Sequence, residues 1–209
     1  MYSILALHSS SDTLGIACSH FGDQKESCIK VTSFPIKRRL SNDLLTCIES
    51  VIPARNWNQL VRLAVAIGPG GFTSTRLTVA IARILAQQLG CPLDGVNSLF
   101  LAAYRFRTTL QPFVFDRPFW LIHQLSQESI VAGCYAIDLM GIQELENPKL
   151  IQLGELEKLE PRFNIKIEVE KDVIQLLRFS QNAMSNAREA PWHHVTPLYL
   201  TSPLSRLLL

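Results

Sequence analysis

None of the five cysteines, Cys18, Cys28, Cys47, Cys91 and Cys134, stands in a C-x-x-C pair, and their number is odd. The scatter argues against a disulfide framework or a zinc knuckle and for buried free thiols in a reducing compartment. The histidines offer no metal cluster either. His193 and His194 are adjacent, so they point apart on a strand or a helix. No apolar run has the ~20 residues that a membrane-crossing helix needs. The opening "MYSILALHSSS" lacks a basic leader and has only a short apolar run, so no signal peptide is expected and the location reads as cytoplasmic. A net charge of +2 is too small for nucleic-acid binding by bulk electrostatics. The local clusters Lys37-Arg38-Arg39 and Arg105-Phe106-Arg107 read as solvated patches.

What is present describes a packed α/β protein. Of 209 residues, 47% are hydrophobic, enough for one domain or two small ones. Tyr2–Leu7, Thr13–Phe21 and Glu26–Phe34 read as strands, the last two joined by the polar turn "GDQK". Leu40, Leu44, Leu45, Ile48, Val51 and Ile52 recur at helical steps until Pro53 stops them. "QLVRLAVAIG" reads as a buried strand, and a helix is expected from about Thr73 to Leu89, closed by Gly90 and Pro92. A short strand follows at "CPLDGV", then a helix capped by Asn97 or Ser98. The order is βββαβαβα, that of the ribonuclease H-like fold used by actin, Hsp70 and sugar kinases. A composition shift at Gln111–Pro118 suggests an N-terminal lobe at 1–110 and a smaller one at 111–209. There "FWLIHQLSQESIVAGCYAID" reads as two strands, "VEKDVIQLLRFSQNAMSNA" as a helix, and the proline-bearing tail as docked on the body.

Gly68-Pro69-Gly70-Gly71 stands where a phosphate cradle could form. A Walker loop needs a lysine after its last glycine, but none occurs from Cys47 through Leu110. The third glycine of a dinucleotide fingerprint would be Thr73. The glycines therefore read as a sharp strand-to-helix turn, with the hydroxyls as helix caps. On that helix Leu77, Ile81, Ile84, Leu85 and Gln88 share one sector of about 100°. Thr75, Val79, Ala82 and Ala86 lie nearly opposite. The bulky sector is expected to face the core, and the small-residue sector to receive another helix, from this chain or a partner. In the first turn, "LHSSSDTLG", His8 stands where actin-like proteins carry a metal-placing aspartate. Histidine is a poor ligand for magnesium. No G-x-S-x-G elbow surrounds Ser9, Ser10 or Ser11.

Both loops resemble the TsaB (YeaZ) family of tRNA threonylcarbamoyladenosine synthesis. Ile4-Leu5-Ala6-Leu7-His8-Ser9-Ser10-Ser11 is similar to that family's I-L-A-[LI]-D-T-S-T. Gly68-Pro69-Gly70-Gly71-Phe72-Thr73-Ser74-Thr75-Arg76-Leu77-Thr78 is similar to G-P-G-S-F-T-G-[LI]-R-[IV]-G. "SNDLLTCIESVI" and "LGCPLDGVNSLFLAA" follow the family's helix and later strand, and "HQLSQESIVAGCY" shadows its D-A-R-x-x-E-V-Y strand. Resemblance is good from residue 3 to about 103 and faint beyond. His8 for aspartate, and Ser74 and Thr78 for glycines, mark a divergent member.

The resemblance implies a subunit that is not itself catalytic, and His8 in place of the aspartate makes no metal or cofactor expected. It would pair with a TsaD-type catalytic subunit, and a TsaE-type ATPase would bind the pair. The complex transfers a threonylcarbamoyl group to the adenosine beside the anticodon of tRNAs reading codons that start with A. The tRNA would meet this chain only through the complex, and a homodimer is expected without the partner. The expected interface is Ser41, Leu44, Leu45 and Ile48 on one helix, with Thr75, Arg76, Val79, Ala82 and Arg83 on the other. Two alternatives stand beside this reading. One is an active phosphotransferase or peptidase of the actin-like fold. The other is direct tRNA binding through Lys37, Arg38, Arg39, Arg105 and Arg107.

Overall fold

A computed structural model describes residues 2–22, 25–36, 39–107, 117–126, 129–138 and 141–200. The centre of the "GDQK" turn, Lys37, Arg38, most of the expected boundary at 111–118 and the tail beyond 200 lie outside these residues. Strands β1 (Tyr2–His8), β2 (Thr13–Gly22) and β3 (Lys25–Pro35) form an antiparallel meander. Helix α1 (Leu40–Val51), a 3-10 turn (Ala54–Gln59), β4 (Leu60–Ala66), α2 (Phe72–Leu89), β5 (Leu93–Val96) and α3 (Ser98–Arg107) follow. β4 and β5 add in parallel to β1, so the first sheet runs β3-β2-β1-β4-β5. This is the ribonuclease H-like sheet that the element order predicts.

The second half builds a smaller mixed sheet, ordered β8-β7-β6-β9, from β6 (Phe119–Gln124), β7 (Ile130–Ile137), β8 (Ile142–Ile151) and β9 (Arg162–Asn164). The short helix α4 (Leu153–Leu156) precedes β9, and α5 (Val169–Ser185) follows it. Together the two sheets make the two-sheet α/β architecture of the actin-like group. The sequence reading anticipates β6, β7 and α5 and misses β8 and β9.

The centre of the first sheet is buried on both faces, which is why β1 and β4 read as continuous apolar runs. Leu5, Leu7, Leu14 and Ile16 face one layer with Leu44, Ile48, Val79 and Ala82 of α1 and α2. On the other face Ala6 stands in register with Ala17 on one side and Ala64 on the other. This alanine row forms a low floor on which α5 lies, with Val173, Leu176 and Leu177 against it. A helix can approach a sheet this closely only where side chains are short.

Two polar ties hold these layers. Arg62 on β4 donates through Nε and Nη2 to Asp94 of β5 at 2.7 and 2.8 Å, both residues being buried. Ser180 of α5 donates to the same carboxylate at 2.7 Å, and Arg62 Nη1 reaches the Arg188 carbonyl at 3.0 Å. Helix α3 spans the two sheets, because Phe100 packs in both the α5 layer and the core of the second sheet. Asn97 caps α3 by accepting the Phe100 N–H at 2.8 Å, as expected. Its amide also donates to Glu144 of β8 at 2.6 Å, and the Tyr135 hydroxyl donates to the same carboxylate oxygen at 3.3 Å. Burial pushes both the Glu144 carboxyl and the Tyr135 hydroxyl above their ordinary pKa values.

Candidate functional site

The turn after β1 and the glycine loop after β4 meet at the carboxyl ends of two parallel strands. In open α/β sheets such ends are where ligands usually sit. Here the two loops close on each other. Gly71 N–H donates to the Ser10 carbonyl at 2.9 Å, and the Ser10 and Ser98 hydroxyls share a bond of 2.8 Å. Ser9 Oγ is 2.7 Å from Thr78 Oγ1 and also reaches the Ser74 carbonyl at 3.1 Å. Ser98 N–H donates to the Gly68 carbonyl at 2.7 Å. A side chain at Gly70 would overlap the Cβ and carbonyl of Ser10, so contact between the loops requires glycine there. Gly68 takes φ +98°, a conformation that glycine adopts without strain. Serine hydroxyls and backbone thus fill the place where a phosphate-binding fold would hold its ligand.

His8 closes the bottom of this arrangement. It is fully buried, and burial pulls its pKa down to about 3, so the ring is neutral. Nδ1 accepts the Ser10 N–H at 3.3 Å, while Nε2 has no partner among the described residues. A neutral imidazole cannot supply the negative charge that an aspartate gives a metal at this position. No group of three His, Cys, Asp or Glu side chains among the described residues could hold a metal ion.

The structure places the helix-face residues differently from the sequence expectation. Thr75, Val79, Ala82 and Ala86, expected to meet a neighbouring helix, turn inward onto β4 and β1. Their small size lets α2 lie close to the sheet. Leu44 and Ile48 of α1 join the same core. Five of the nine expected interface positions, Leu44, Ile48, Thr75, Val79 and Ala82, are thus buried within this chain. Of the remainder, Ser41 is exposed, Leu45 is 47% exposed, and Arg76 and Arg83 are partly exposed. The bulky sector faces outward: Ile84 is 53% exposed, and Leu77 and Ile81 are partly covered at the edge of the core. Only Leu85 of that sector is buried.

The hydroxyls do not cap α2. Gly71 occupies the N-cap without any side-chain bond, Ser74 Oγ turns back to the Gly71 carbonyl, and Thr73 is exposed. Phe72, 60% exposed, stacks over the Arg76 guanidinium one turn later at 3.4 Å. Tyr199 covers the same guanidinium at 4.6 Å. Spacing at i and i+4 makes the first contact readable in the sequence, but nothing in the sequence announces Tyr199. Its segment docks by backbone pairing, with Leu93 N–H on the Ala190 carbonyl and Leu198 N–H on the Ile67 carbonyl, each at 2.8 Å.

The basic positions considered for tRNA are partly committed elsewhere. Arg105 binds Asp172 at 2.8 Å, Glu168 at 2.6 Å and the Lys166 carbonyl at 2.8 Å, so it ties α3 to the start of α5. Arg39 pairs with Asp43 at 3.1 Å.

Comparison with known proteins gives this closed geometry a context. Residues 36–190 match the family model described as "TsaD: tRNA N6-adenosine threonylcarbamoyltransferase". The chain belongs to that family. Within it the chain is a distant TsaB/YeaZ member, and the match reaches well past residue 103, where the resemblance in sequence fades. It is 30% identical over 99 residues to the Bacillus subtilis tRNA threonylcarbamoyladenosine biosynthesis protein TsaB. That match spans 46% of this chain and 42% of the relative, less than half of either. Two Pseudomonas aeruginosa structures superpose on 96% of the chain over their entire lengths, each at 17% identity. One is described as similar to peptidase YeaZ, with a TM-score of 0.70. The other is YeaZ, with a TM-score of 0.67. At that identity they establish the TsaB/YeaZ fold. No helix among the described residues is long and apolar enough to cross a membrane.

Proposed function

We propose that this chain is a non-catalytic, partner-binding subunit in the transfer of a threonylcarbamoyl group to the adenosine beside the anticodon of tRNA. The observation that carries this reading is the closure of the two ligand-side loops onto each other. An actin-like phosphotransferase or peptidase needs an open first turn with a carboxylate, whereas here Ser10 packs on Gly70 above a neutral His8. With the catalytic position filled, what the fold offers is a surface.

That surface lies on the first lobe, residues 1–110, along α1 and α2. Leu45, Leu77, Ile81 and Ile84 present an apolar strip, flanked by Ser41 and Arg83. The partner is a TsaD-type catalytic subunit, with a TsaE-type ATPase joining the pair, and the same strip supports a homodimer in isolation. The tRNA is engaged through the complex. Co-purification tests this directly. Leu45→Asp and Ile84→Asp should abolish retention of the TsaD-type partner while the far-ultraviolet spectrum and melting transition stay unchanged. Undiminished retention by both variants would sink the assignment.

A further inference from the structure

Beside the closed loops, a cavity of about 330 Å³ remains between the carboxyl end of β5 and strand β8 of the second sheet. Gly95 and Asn97 with Phe100 of α3 line one side, and Glu144 of β8 lines the other. Phe179 of α5 and Arg188, three residues beyond that helix, complete the wall. The volume is that of a site for a small organic molecule.

Glu144 gives the first indication of what would enter. Its Oε1 accepts the Asn97 amide at 2.6 Å and the Tyr135 hydroxyl at 3.3 Å. Its Oε2 has no hydrogen-bond or ion-pair partner among the described residues, and it is not sealed off, since the residue is only partly buried. Burial raises this carboxyl, and only the two neutral donors on Oε1 oppose the rise. A carboxylate drawn partly out of water without a cation gains from a positively charged neighbour. Arg188 gives the second indication. Its guanidinium lies over the Phe179 ring at 5.3 Å and forms no ion pair among the described residues. Its carbonyl accepts from Arg62 at 3.0 Å, which fixes the backbone that carries it.

An acid and a base thus line one cavity, and neither neutralises the other. Either charge alone would be an ordinary solvated group; sharing a cavity, they select a ligand that carries both signs. An ammonium answers the free carboxylate oxygen, and a carboxylate answers the planar guanidinium fork. Between them Ile67, Phe100, Phe179 and Leu198 supply an apolar wall, which suits an apolar substituent. We propose that this cavity binds a free α-amino acid with an apolar side chain, its ammonium on Glu144 and its carboxylate on Arg188. The proposal does not rest on the assembly reading, which uses the outer strip of α1 and α2.

The test is amide chemical-shift titration of the ¹⁵N-labelled full chain at constant pH and ionic strength. The probes are L-leucine and its two halves: isoamylamine, which lacks the carboxylate, and 4-methylpentanoate, which lacks the amine. Leucine should give saturable shifts centred on Gly95, Asn97 and Glu144, and should bind roughly tenfold or more tighter than either half. Glu144→Gln keeps an acceptor for Asn97 and Tyr135, so it should fold as the wild type does. It should weaken leucine and isoamylamine roughly tenfold and leave 4-methylpentanoate unchanged. Arg188→Gln, a change on an exposed side chain, should weaken leucine and 4-methylpentanoate and spare isoamylamine. Absence of saturable shifts with leucine, a half that binds as tightly as leucine, or a variant that affects both halves equally would overturn the proposal.

Discussion

Ser10 on the turn after β1 and Ser98 at the start of α3 share a hydrogen bond of 2.8 Å across 88 positions of sequence. Neither residue is in a helix-capping or strand-pairing role with the other. The bond instead joins the turn after β1 to the start of α3 beside the glycine loop. Gly70 lies against the same serine and makes the closure specific to glycine.

Gly70→Ala should therefore destabilise the protein. The added methyl group overlaps both the side chain and the carbonyl of Ser10, and overpacking of a rigid site costs ~1–3 kcal/mol. Gly154→Ala is the control, because a Cβ there meets no atom within 4 Å. Urea denaturation should show a lower midpoint for the first variant and no loss for the second. Equal midpoints would mean the loops separate freely.

Stability should depend on pH through His8. The ring titrates at about 3 in the folded chain and near 6.5 when unfolded. The unfolded chain therefore binds the proton first, and the His8 contribution is complete above pH 6.5 and declines as pH falls towards 3. The slope it adds is about 1.4 kcal/mol per pH unit. Comparing melting temperatures of wild type and His8→Asn between pH 7.5 and 5 isolates it. The wild type should lose stability more steeply, and parallel curves would contradict a neutral buried ring.

Asp94→Ala should be among the most damaging single changes. It leaves the Arg62 guanidinium buried without its carboxylate and deprives Ser180 of its acceptor. Breaking one side of a buried ion pair costs ~3–5 kcal/mol. Arg62→Met combined with Asp94→Leu should recover most of that loss, because burying two apolar groups leaves no charge unpaired. A double variant no more stable than Asp94→Ala would show that packing, not the orphaned charge, sets the cost.

The centre of the first sheet and its helices were legible because β1, β4, α1 and α2 are long, largely apolar segments with clear stops. Pro53 closes α1, and Gly90 closes α2 at φ +64°. The second sheet was less so. β8 reads "IQELENPKLI", with most of its positions at least partly exposed, and β9 has three residues, so neither carries an apolar signature. The faces of α2 were misread for a physical reason. Bulk suggested that Leu77, Ile81 and Ile84 point inward, but a helix packed tightly on a sheet needs its short side chains, Val79, Ala82 and Ala86, at the contact. The same rule, applied to Ala6, Ala17 and Ala64, would have identified where α5 lands. The phosphate question could be answered in part from sequence, by the absent lysine. The closure itself could not, since it depends on Ser10, Gly70 and Ser98 meeting in space.

The alanine floor beneath α5 has a consequence for how the chain is made. Every strand of the first sheet has been synthesised by Val96, yet beyond the contacts of α3 one face lacks its main cover until residues 169–185 follow. Through that interval much of the apolar plane of Ile4, Ala6, Ala17, Ala64 and Ala66 stays uncovered. A stop codon before Val169 would remove the helix that covers this face, and a chain so shortened is expected to aggregate.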